Sequence, residues 1–134
     1  CEALGENSNG PTVEEINKIG AEELEHFMML NRMVTELGGD PTVQSPCADV
    51  AGVASMGIMQ VLTDPRSSMS QCLQAILIAE LTDNDGWQLL VQLAENLGYS
   101  DMKTEFETAM EHEEQHLANV RKWLSESVME EAQI

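Results

Sequence analysis

Three times in this chain, acid side chains stand where a helix should present only apolar ones, twice with a His three residues on. In one stretch the alternating steps of four and three that mark a buried stripe run Met102, Phe106, Ala109, Glu113, His116, Val120, Trp123. An earlier stripe runs Val13, Ile16, Gly20, Glu23, Phe27, Leu30, Val34, Leu37, with His26 three residues after Glu23. Between them a third reads Met69, Leu73, Ile76, Glu80, Asp83, Trp87, Leu90, Ala94, Leu97, interrupted by Glu80 and Asp83. Residues three apart project from one helix face about one turn apart, so each Glu-x-x-His is a pair of donors aimed the same way. An ionised carboxylate buried without a partner is strongly unfavourable, so these groups need a neutralising counterpart. A metal ion is one, and mixed carboxylate and imidazole ligands suit Fe(II) or Mn(II).

The elements that must position these groups are long helices. Thr12 with Glu15 forms a capping-box signal, and Gly38-Gly39-Asp40-Pro41 is a stop, which predicts a helix over 12–38. Residues 40–66 form a long connection, punctuated by Pro41, Pro46 and Pro65, with a short helix expected at about 48–62. Ser67 or Ser68 caps the next helix, to about residue 97, and Ser100 caps the last, to about residue 129. The short link around Gly98 makes the last two helices antiparallel neighbours. Glu80 and Glu113 lie 33 positions apart with the turn near their midpoint, so both fall at similar depth. An all-α single domain follows, with an aliphatic and Met-rich core, since aromatics are only 4% of the chain.

Composition narrows the partners. A net charge of −18 argues against nucleic acid and against an anionic membrane surface, and it is compatible with cations. With no run of 18 apolar residues and no secretory leader, neither a membrane span nor export is expected. Cys1, Cys47 and Cys72 are odd in number and form no Cys-x-x-Cys, which points to free thiols in a reducing cytoplasm. Met28, Met29, Met33, Met56 and Met59 read as gap-filling core residues. His112 lies off the stripe and is expected at the surface, as are Glu105, Glu107, Glu111 and Glu114. Trp87 and Trp123 are expected in the core near the bundle ends, with a place beside the metals as the alternative.

The three motifs, in this order and with a long crossover before the third, resemble the ferritin-like di-iron and di-manganese carboxylate proteins. Ala21-Glu22-Glu23-Leu24-Glu25-His26, Ala79-Glu80-Leu81 and Glu113-Glu114-Gln115-His116 are similar to the metal-binding parts of the second, third and fourth bundle helices of bacterioferritin-type members. The resemblance implies a four-helix bundle of which helices 2–4 and a short crossover helix are present. It implies Glu23, His26, Glu80, Glu113 and His116 as metal ligands, with Glu23 and Glu113 bridging. Asp83, one turn from Glu80, is the expected hydrogen-bond partner of a ligating imidazole. The first-helix ligand would fall about ten residues before Cys1, so Cys1-Glu2-Ala3-Leu4 reads as the end of that helix. Leu24 occupies the place of a haem-ligating Met, so haem is not expected, and a rubrerythrin-type Cys-x-x-Cys iron site is absent from the sequence. The implied chemistry is reaction of Fe(II) with O2 or peroxide at the metal centre itself. Peroxide disproportionation at two manganese ions is the first alternative, and a non-enzymatic acidic helical protein with a vestigial site is the second. An incomplete bundle leaves an apolar flank exposed, so a homodimer or larger homo-oligomer is expected.

Overall fold

The computed structural model describes residues 10–133, with the backbone alone at 47 and 49. Its helices are α1 (Val13–Glu36), α2 (Pro46–Thr63), α3 (Met69–Leu97) and α4 (Ser100–Glu131). The segment Cys1-Glu2-Ala3-Leu4, read above as the end of a preceding helix, lies outside the described residues.

Side-chain caps set the helix starts. Thr12 accepts from the Glu15 amide while the Glu15 carboxylate accepts from the Thr12 amide, and Ser68 and Gln71 repeat the arrangement at α3. At α2, Ser45 caps and Pro46 takes the first turn, where its missing N–H costs nothing. Ser100 does not cap α4. Tyr99 stands at that position without a side-chain hydrogen bond, and Ser100 is already helical. Gly98 ends α3 at φ +76°, a left-handed conformation in which the Tyr99 amide reaches back to the Ala94 carbonyl at 2.9 Å. That single turn folds α4 back along α3.

The α3/α4 hairpin is the frame, with α1 packed on α4 and α2 packed on α3. Two apolar clusters close it. Met33, Trp87, Ala94, Phe106 and Ala109 form one, flanked by Met29 and Leu30. Leu73, Val120 and Trp123 form the other, flanked by Ile19 and Leu124. Between these clusters, at the level of Glu80 and Glu113, lie the acidic interruptions of the stripes.

α1 faces its neighbours differently from the stripe read above. Val13 and Phe27 are 68% and 62% exposed, and Leu24 and Leu37 also face outward, while Ile19, His26, Met29 and Met33 turn inward. The helix carries two apolar stripes, and a 3.6-residue period cannot say which of them meets the hairpin. Among the described residues, α2 has no buried side chain, and Val50, Val53, Met56 and Met59 are exposed.

Candidate metal centre

Glu113 and His116 project from α4 one turn apart and are 0% and 2% exposed. Glu80 meets them from α3 at 5% exposure, and Glu23 comes from α1, half-buried. One ligand atom from each of Glu23, Glu80, Glu113 and His116 lies within 4.8 Å of all the others. His116 Nδ1 stands 3.1 Å from Glu23 Oε1, 3.6 Å from Glu113 Oε2 and 4.0 Å from Glu80 Oε2. His26 is also buried, its Nδ1 2.8 Å from Glu113 Oε1. It stands beside the four-residue group rather than within it. Glu113 therefore turns one oxygen to each imidazole.

Two residues met here were not singled out from sequence, and a third was misplaced. Glu22 Oε2 lies 2.6 Å from His116 Nε2, so that imidazole is held between the carboxylates of two consecutive residues. Reading one face of a helix at a time hides such a neighbour, since adjacent positions are about 100° apart. Asn84, buried one turn beyond Glu80, donates to the backbone carbonyls of Glu80 and Glu113 at 2.8 and 3.1 Å and ties α3 to α4 at the centre. The only sequence signal was a polar residue one turn past a candidate ligand. His112, expected at the surface, is half-buried instead. Its Nδ1 lies 3.2 Å from His26 Nε2, and the two rings stack at 5.4 Å between centroids. Because α1 crosses α4 at this level, the flank of α4 next to its buried stripe is covered as well.

Asp83 differs from expectation. It is exposed and, among the described residues, hydrogen-bonds neither imidazole; Glu22 and His112 hold their outer nitrogens instead. Trp123 sits in the second apolar cluster, whereas Trp87 lies edge-on to His26 at 5.3 Å and lines the centre.

The electrostatics follow from this crowding of acids. Burial pushes the Glu80 carboxyl up to about 8, with His116 opposing and Glu113, Glu23 and Asp83 adding to the rise. Asp83 is raised to about 6 by partial withdrawal from water and by the charges of Glu23 and Glu113. Burial works against a charged His116, yet the adjacent Glu113 carboxylate, the hydrogen bonds to Glu23 and Glu22 and the charge of Glu80 outweigh it and push the imidazole up to about 11. Glu113 is held below the ordinary range because the adjacent His116 and the hydrogen-bonded His26 overcome its burial. Even so, Glu80 Oε2 and Glu113 Oε2 are buried without a hydrogen-bond partner. Two unpartnered carboxylate oxygens beside a buried imidazole fit a cation of the size and hardness of Fe(II) or Mn(II).

A cleft of about 260 Å³ lined by Glu25, His26, Glu105, Thr108 and His112 leads to the His26 side of the centre. A larger one of about 680 Å³ lies between α2 and α3, away from the acids, and its Asp64 and Arg66 are paired with each other. Among the described residues, no helix is long and apolar enough to cross a membrane.

Comparison with curated proteins and with solved structures gave no match. The sequence model of the ferritin-like domain, by contrast, matches residues 10–128. That stretch contains part or all of every helix and each acid and imidazole of the centre, and the four helices with no strand among the described residues agree with it. The chain is a member of the ferritin-like domain family.

Proposed function

We propose that this protein binds Fe(II) at a centre formed by Glu23, His26, Glu80, Glu113 and His116 and passes electrons from it to O2 or peroxide. The observation that carries the reading is the pair of unpartnered, buried oxygens of Glu80 and Glu113, facing a site where four donors converge. Held by these residues, Fe(II) would supply one electron per ion to the oxidant, with Fe(III) as the product.

The chain's own groups supply the rest. Glu23, Glu80, Glu113 and His116 form a complete four-donor set. Glu113, with one oxygen toward each imidazole, is placed to be shared with a second position at His26. The family resemblance calls for a further acid at that second position, from the helix that precedes α1 in the bundle. Asn84 holds Glu80 and Glu113 in register across the hairpin, and the apolar clusters on either side limit access of water. The −18 net charge draws cations toward the chain.

A reducing cytoplasm suits Cys72, a free thiol. Apolar side chains on the outer faces of α1 and α2 favour a homodimer or larger homo-oligomer.

Mixing the protein anaerobically with Fe(II) and then admitting O2 tests the reading. Oxygen uptake well above that of protein-free buffer is expected, and it should fall at least tenfold in Glu80→Ala. A rate equal to buffer would favour a vestigial site. A strong preference for manganese in protein grown with both metals would transfer the same ligands to peroxide disproportionation.

A further inference from the structure

The two imidazoles present themselves to the carboxylates in the same way but are held from outside by different groups. Each turns Nδ1 inward: His116 toward Glu23, Glu113 and Glu80, His26 toward Glu113. Each has its Nε2 engaged by a residue outside the donor set. For His116 that residue is Glu22, whose Oε2 is 2.6 Å away. For His26 it is His112, whose Nδ1 is 3.2 Å away.

The difference has consequences for metal binding. A carboxylate that accepts from Nε2–H fixes the proton there, frees Nδ1 as the ligating atom and makes the ring a stronger donor. An imidazole in the same role orients the ring without lending negative charge. The surroundings reinforce the contrast. His116 is 2% exposed and has three carboxylates around its inner nitrogen, whereas His26 shares Glu113 and adjoins the open cleft that His112 lines.

We propose that Glu22 and His112 are the positioning residues of the two imidazoles and make the metal positions unequal, a tight one at His116 and an exchangeable one at His26. The exchangeable position is the one that meets incoming Fe(II), because the cleft of about 260 Å³ ends on His26 and His112. The proposal rests on the metal-binding reading above and deepens it.

Anaerobic titration of the full chain with Co(II), followed by its visible absorption and by calorimetry, tests this. Wild-type protein should bind in two steps of different affinity. Glu22→Gln keeps the shape of the side chain but removes its charge. It should weaken the tight step about 10- to 100-fold, shift that step's absorption band and leave the weaker step within about threefold. His112→Ala should do the reverse, weakening the second step about tenfold and leaving the first unchanged. Glu22→Asp, which keeps the charge, should recover part of the tight step and serves as the working variant if Glu22→Gln does not fold. Two equal steps in wild type, or steps that move together or not at all in both variants, would overturn the proposal while leaving the metal centre intact. No Co(II) binding by wild type would overturn both.

Discussion

Metal affinity at this centre should rise about a hundredfold between pH 6 and pH 7. Without metal, Glu80 holds its proton up to about 8 and His116 holds its second proton up to about 11. A ligating carboxylate must be ionised and a ligating imidazole neutral, so the ion that these two residues bind expels two protons in this range. Each proton released steepens the dependence by about tenfold per pH unit. The sign is fixed by the direction of both shifts: raised values mean that protons occupy the site at neutral pH, and metal competes better as pH rises. Above about 8 only the His116 proton remains to be displaced, and the slope should halve on a logarithmic scale. Calorimetric titrations with Mn(II) in buffers of differing ionisation enthalpy count the protons directly. A pH-independent affinity would mean that Glu80 and His116 are not ligands.

Removing Glu113 should destabilise the protein more than removing any other member of the centre. Its side chain is fully buried and lies against both His26 and His116. Glu113→Ala leaves two buried imidazoles without their shared anion, a loss of about 3–5 kcal/mol that should appear in the melting curve even without metal.

Glu80→Gln should do the opposite in metal-free protein. Because the Glu80 pKa is raised from 4.5 to about 8, its contribution to stability is full below about 4.5 and is lost as pH rises through about 8. Gln does not titrate, so the variant should melt higher than wild type at pH 8 and equal it near pH 4. With metal at a hundred times its dissociation constant, wild type should gain about 2.7 kcal/mol and Glu80→Gln much less. A wild type unaffected by metal, together with a variant less stable than it at every pH, would identify Glu80 as an ordinary structural acid.

Much of this arrangement was legible in the amino-acid order, for a physical reason. Buried acids are costly, and three stripes interrupted by acid at compatible depth leave few arrangements other than convergence on one point. The helical class and the capping pairs at Thr12 and Ser68 follow from local hydrogen bonding that needs no tertiary context. The face that α1 turns inward does not, because Phe27 and Met33 lie on competing stripes and only packing against α4 decides between them. Glu22 and His112 were invisible for a related reason. Each stands next to a stripe residue and becomes an inner group only because a ring from another helix comes within its reach. Asp83 is suitably spaced from Glu80 and feels the charges of Glu23 and Glu113, yet it stays exposed and, among the described residues, hydrogen-bonds neither imidazole.

The centre functions only if the four groups at the heart of the bundle grip a cation together. Anomalous diffraction from crystals grown with Mn(II) or anaerobic Fe(II), recorded on either side of that metal's absorption edge, tests this most directly. The predicted result is a strong peak within coordination distance, about 2.0–2.3 Å, of Glu23, Glu80, Glu113 and His116. Density only at surface acids, with the space between Glu80 and Glu113 filled by water, would contradict it.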